Sequence, residues 1–128
     1  MPVRPVDRRG PSLTSASVAY HCITRQRRTG SPFGLMADYH TDGLTFVGDA
    51  SCYQRPTDDG NTFEIIFCST CGSTVDARAC KHPAMIGVVV GAIANPEFQP
   101  PLRSVWEQTM HRWITMPGDV PHFSKVRE

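Results

Sequence analysis

The densest chemistry in this sequence is the run Phe67-Cys68-Ser69-Thr70-Cys71-Gly72-Ser73. Two residues between cysteines bring both sulfurs to one side of a tight turn, and Gly72 lets the chain bend without a Cβ clash. Backbone N–H groups in such a turn can hydrogen-bond thiolates. Three roles share the spacing: half of a tetrahedral thiolate zinc site, a redox pair, or two structural thiols. A redox pair usually opens a helix, whereas Ser73 to Ala77 reads as a strand, and this favours zinc. Structural zinc takes four protein ligands, so the pair is half a site. Candidate partners are Cys22, Cys52, Cys80, His21 and His82. Cys80-Lys81-His82 either supplies two ligands or is a surface loop before Pro83.

The elements that must position these residues are mostly strands. Val18 to Cys22 reads as a short strand, and Thr24 to Thr29 as one helical turn. Gly30, Pro32 and Gly34 then force loop geometry. Phe33 to Tyr39, Leu44 to Val47, Ser51 to Gln54 and Thr62 to Cys68 carry the β-branched and aromatic residues of strands. Asp58-Asp59-Gly60-Asn61 is a turn, since Gly and Asn tolerate positive φ. Met85 to Ile93 is nearly all apolar, as a strand buried on both faces would be. Val105-Trp106 and Trp113 to Thr115 look like short strands. No repeat, heptad pattern or long amphipathic helix is present. A β-dominated fold with many loops follows.

Composition sets the outer bounds. The chain has 128 residues and a net charge of +1, with 40% hydrophobic and 20% charged residues. This fits one globular domain and provides no strong field to draw nucleic acid or a membrane surface. The basic residues are uneven: Arg4, Arg8, Arg9, Arg25, Arg27 and Arg28 face only Asp7 in the first 28 residues. They form either a solvated arm or an anion-binding rim. Residues 1–17 read as an N-terminal arm or truncated first strand, 18–123 as the domain and 124–128 as a tail. Met1 to Gly10 lacks the apolar centre of a secretory signal, and Ala84 to Ala94 is too short to span a bilayer. Five cysteines without a signal fit thiols or metal ligands in a reducing compartment, so a cytoplasmic location is expected.

Several separated segments together resemble the glutathione-dependent formaldehyde-activating (GFA) family. They are Tyr20-His21-Cys22 running through Arg25-Gln26-Arg27-Arg28 into Gly30-Ser31-Pro32-Phe33-Gly34, then Phe67 to Ser73, then Gly87 to Ala92. Ser104-Val105-Trp106-Glu107, Trp113 and Pro121-His122-Phe123 follow in the right order. The resemblance spans about residues 18–123. It implies a small, mainly β single domain of antiparallel sheets around zinc-binding loops, the β-tent fold of the family.

The resemblance also implies two zinc sites, and this chain departs from both. The structural zinc of the family uses an early Cys-x-Cys plus the later Cys-x-x-Cys, here Cys68 and Cys71. The early pair is absent. Pro2-Val3-Arg4 looks like what normally follows it, so the chain is expected to begin just past it, through an early deletion or a late start. The catalytic zinc of the family sits on Cys-x-Cys-x-x-Cys. The matching positions are Tyr20, Cys22 and Arg25, so only Cys22 remains as a catalytic and metal-binding residue. A neutral tyrosine is a poor ligand, Arg25 stays protonated, and its charge repels a divalent cation.

The reaction implied is addition of glutathione thiol to formaldehyde, of carbon–sulfur lyase type, with zinc stabilising the thiolate. By the same resemblance the partner is a small-molecule thiol such as glutathione. Arg27, Arg28, Gly30 and Ser31 lie beside the ligand segment and are candidates for its carboxylates; the alternative is ordinary surface arginines. Without metal, Cys22 is either a reactive thiol activated by Arg25 or an inert remnant. His21 is a base, a ligand or a structural residue. Trp106 and Trp113 read as core, His40 and His111 as exposed, and Cys52 as a small buried hydrophobe. The rivals are thus an enzyme with an impaired zinc site, an inactive binding module, and a redox or metal-buffering protein.

Overall fold

The computed structural model describes residues 4–7, 17–57 and 60–126. Its strands are β1 (Arg4–Asp7), β2 (Ser17–Tyr20), β3 (Gly34–His40), β4 (Leu44–Val47), β5 (Ala50–Pro56), β6 (Thr62–Cys68), β7 (Thr74–Ala79), β8 (Met85–Val89) and β9 (Arg103–Val105). Helix α1 (Ile23–Thr29) follows β2, and a single turn, α2 (Val90–Ile93), follows β8. Seven strands form one sheet in the order β5-β6-β7-β8-β3-β2-β9, while β1 and β4 make a separate two-stranded ribbon. The protein is therefore mainly β, as its sequence implies. The large sheet is mixed rather than purely antiparallel, because β9 pairs with β2 in parallel. Most of the expected arm at 1–17, and Asp58 and Asp59 of the expected turn, lie outside the described residues.

Strand alternation gives the sheet two unlike faces. On one face Ala37, Tyr39, Ile86 and Val88 pack with Leu44 into the main core, and Phe46, Val90, Ile93 and Phe98 close around them. The fully buried Val88 there contributes roughly 1.5–3 kcal/mol. Asp76 is also fully buried, and its carboxylate accepts a hydrogen bond from Arg78 Nε at 2.9 Å. Arg78 lies two residues on, so it leaves β7 on the same face, where its guanidinium meets the Phe46 ring. The opposite face has a floor of small residues, because Asp38, Gly87 and Ala77 stand in one cross-strand row. A Cβ at position 87 would come within 3.0 Å of the Met36 terminal methyl, so glycine keeps this face hollow.

Several short-range readings need correction. The apolar run from Met85 leaves the sheet at Val89 and turns helical over Val90–Ile93. Its burial alternates, with Ile86 and Val88 buried and Met85 exposed, so the strand is not covered on both faces. A continuous apolar run cannot by itself distinguish strand from helix. Trp113 to Thr115 form no strand, and Trp113 is 72% exposed rather than core. Trp106 is half-buried in the left-handed region at φ 59°, where β9 ends. Cys52 is exposed because β5 is an edge strand with one open face.

His21 ties three segments together. It is fully buried, and its backbone N–H donates to Val105 O at 3.1 Å. Its carbonyl accepts from Gln26 Nε2 at 2.8 Å and from Thr109 Oγ1 at 2.7 Å. The ring Nε2 lies 2.9 Å from Ser104 Oγ. Ser104 in turn exchanges backbone hydrogen bonds with the C-terminal segment, donating to Pro121 O and accepting from Phe123 N. Glu107 bonds both Ser104 and His122. Burial alone would raise the Glu107 pKa, but these bonds and the His122 charge hold it below the ordinary value.

Burial holds the His21 imidazole below its ordinary pKa of 6.5. The unfolded chain therefore takes up a proton that the folded chain refuses. The resulting stability is present above the unfolded pKa and is lost as pH falls through it. Thermal unfolding midpoints should drop from about pH 7.5 to about pH 5.5. His21→Gln, which keeps a polar atom near Ser104, should flatten that slope while costing about 1–2 kcal/mol at neutral pH. An unchanged slope would show that His21 is not the group responsible.

Candidate functional site

The segment after β2 brings the first group of site residues together. Cys22 caps α1 in extended geometry (φ −69°, ψ 151°) without a side-chain hydrogen bond to the helix. The helix has no acid in its first turn, carries Arg27 and Arg28 in its last, and ends on Gly30 in the left-handed region. Cations at the C-terminal end and a left-handed glycine cap are favourable there. The Gly30 N–H donates to Gln26 O at 2.9 Å and the Ser31 N–H to Thr29 Oγ1 at 3.0 Å, so both loop donors are already engaged. Arg27 is exposed, whereas Arg28 is half-buried.

Tyr20 and Arg25 meet directly. The Arg25 guanidinium lies 4.8 Å from the centroid of the Tyr20 ring and 5.4 Å from that of Phe63. Burial raises the Tyr20 pKa, with the Asp38 charge adding to the effect, so the phenol stays neutral. This stack forms one wall of a cleft of about 320 Å³ on the hollow face of the sheet. Ala77, Ala79 and Gly87 line its floor, and Asp38, His82 and Met85 line its other sides. Burial likewise raises the Asp38 pKa, against the opposing charges of Arg103 and His82.

The cysteine pair closes the β6–β7 hairpin. The Gly72 N–H donates to Cys68 O at 2.9 Å, and the Cys68 N–H donates to Ser73 O at 2.8 Å. Gly72 sits at φ 77°, as the bend requires. The Thr70 N–H approaches Cys68 Sγ at 3.4 Å, the N–H to sulfur geometry expected of such a turn. Cys68 is buried against Val75, while Cys71 is exposed and its thiol reaches Ser73 Oγ at 3.3 Å. A second cavity of about 380 Å³ lies between this turn and the helix, lined by Arg28, Thr29, Cys71, Gly72 and Ser73 among others. Among the described residues, Arg28 Nη2 is buried without a hydrogen-bond partner.

No three His, Cys, Asp or Glu side chains gather as a metal-holding group among the described residues. Every cysteine and histidine of the chain lies among those residues. Cys80 is exposed at the far end of β7, beside Asn61 and Thr62, and Cys52 is on the outer edge strand. Asp38, Phe63 and His82 went unnoticed in the sequence as partners of Tyr20 and Arg25. Their signal was faint: one acid in the alternating strand Phe33 to Tyr39, and small residues at intervals of two in β7. No helix among the described residues is long and apolar enough to cross a membrane.

Compared with curated proteins one by one, the sequence matches none significantly. At family level the result is different: the model of the glutathione-dependent formaldehyde-activating enzyme matches residues 9–113. This match takes in α1, the cysteine turn and the hollow face of the sheet, and on it the chain belongs to the GFA family.

Proposed function

We propose that this chain is a GFA-family protein of carbon–sulfur lyase lineage that binds a glutathione-type thiol but does not hold zinc at the family's catalytic position. The observation that carries this reading is the stack of Arg25 on Tyr20. Both residues occupy positions where the family places thiolates. A protonated guanidinium and a neutral phenol do not fit a divalent cation, and Cys22 alone provides one sulfur. The Cys68–Cys71 turn retains the shape of a half-site, but no third sulfur or imidazole joins it. Five free cysteines accord with the reducing, cytoplasmic setting in which such a thiol is found.

Ligand affinity rests on other residues. Arg28 lines the cavity at the cysteine turn, and its guanidinium is the candidate partner for a carboxylate of glutathione. A guanidinium can meet a carboxylate in two parallel hydrogen bonds. Arg27, Gly30 and Ser31 form the rim of the same segment. Cys22 remains the one thiol of the original ligand set and the candidate for any residual chemistry.

Two measurements check this reading. Elemental analysis of the purified full chain should find zinc well below stoichiometric, and removal by chelator should leave the circular dichroism spectrum unchanged. Restoring Tyr20→Cys and Arg25→Cys together should raise zinc content and formaldehyde–glutathione adduct formation together. A stoichiometric ion bonded to Cys22 in the natural sequence would overturn the proposal. Arg28→Gln should weaken glutathione binding, measured by calorimetry, about tenfold or more, the loss expected for a charge-assisted hydrogen bond. Unchanged affinity would remove Arg28 from the site.

A further inference from the structure

The cleft on the hollow face has a composition that a vacated metal position does not explain. Its floor is apolar and small, made by Ala77, Ala79 and Gly87, and Met36, Met85 and Phe63 add apolar walls. Two charges of opposite sign stand above that floor. The Arg25 guanidinium carbon lies 4.8 Å from the Tyr20 ring centroid and 5.4 Å from that of Phe63. Contact with aromatic faces leaves guanidinium N–H groups available for an acceptor. Among the described residues no side chain accepts a hydrogen bond from Arg25, and no carboxylate forms an ion pair with it. Asp38 likewise has no hydrogen-bond donor among those residues, although His82 and Arg103 contribute opposing charge nearby. Arg25 and Asp38 share one cavity without pairing with each other.

We infer that this cleft binds a small carboxylate with an apolar body and an adjacent hydrogen-bond donor, an amino or hydroxy acid. The carboxylate meets the edge of Arg25, the ammonium or hydroxyl meets Asp38, and the apolar body lies on the Ala77–Ala79–Gly87 floor. A cavity of about 320 Å³ suits a metabolite-sized molecule rather than a polymer. Satisfying two unpaired charges with one ligand accounts for both of them, and a thiol is not required. The inference rests on the reading that Tyr20 and Arg25 stand where zinc ligands would be. It goes beyond that reading by assigning the altered position a ligand of its own.

The test is an amide NMR titration of the purified full chain, with its metal content measured on the same sample. The probes are L-leucine, its hydroxy analogue leucic acid, and isocaproate, which lacks the donor. At least one of the first two should give saturable shifts centred on Tyr20, Arg25, Asp38 and Gly87, and isocaproate should bind more weakly. A preference for leucine identifies an ammonium at Asp38, and a preference for leucic acid a hydroxyl. Arg25→Gln should weaken binding of every probe about tenfold or more. Asp38→Ala should weaken only the probes that carry a donor. Ala79→Leu, which fills the floor, should abolish binding while amide shifts remote from the cleft stay in place, and this variant carries the test if a change at Arg25 prevents folding. No saturable shift from any probe on metal-free protein would overturn this inference and leave the zinc argument standing. An ion bound at Cys22 would overturn both.

Discussion

The site depends on a buried imidazole. His21 sits at the junction where β2 ends, α1 begins and β9 runs alongside, and both α1 and β9 are hydrogen-bonded to it or to its backbone. A polar side chain removed from water must find partners, and His21 finds Ser104 across the parallel strand pair. Gln26 extends the connection, with its amide bridging His21 O and Thr109 O and its carbonyl reaching His111. The first turn of α1 is thereby fixed in direction although it lacks a side-chain cap. That direction sets where Tyr20, Cys22, Arg25 and Arg28 stand. Tyr20 and Arg25 turn toward the hollow face of the sheet, and Arg28 turns toward the cysteine turn.

The second constraint is the asymmetry of the sheet. One face is filled by branched and aromatic residues from β3, β4, β8 and α2. The other face has glycine and alanine where such residues would stand, and a hollow results. A stable fold can leave this face open because the first core, with buried Asp76 and its partner Arg78 at its edge, packs without it. Removing Arg78 is costly, since it would leave the Asp76 carboxylate buried without its charged partner. The cleft and the main core thus occupy opposite faces of the same strands, alternating residue by residue.

Sequence reasoning reached the fold class and most strands because β-branched and aromatic runs bounded by glycine and proline have few other solutions. Leu44 to Val47 has the same limits in the structure, and Thr62 to Cys68 likewise. It failed at Val90–Ile93, where an apolar run changes from strand to helix without a change in composition. It failed at Trp113, whose size suggested core, because aromatic type says nothing about which side of a loop faces water. Cys68, Cys71 and Cys22 were visible by spacing and family pattern. The cleft was not, since it is assembled from one or two residues on each of β2, β3, β6, β7, β8 and α1, with His82 from the loop before β8. Long-range strand pairing, such as Asp38 opposite Gly87, is what brings them together, and one sequence carries no direct trace of that pairing.

The cysteine turn has contacts of its own that set its shape. Its geometry is closed by backbone hydrogen bonds between Cys68, Gly72 and Ser73 and by the left-handed glycine. Cys68 packs as a small apolar residue against Val75. A domain of this length buries enough surface to stand without metal crosslinks. Arg25 is in contact with two aromatic rings at the cleft wall. The residues that hold α1 in position, His21, Gln26 and Ser104, are not the residues that line the cleft. Substitutions at the cleft wall therefore leave the anchoring of the helix intact.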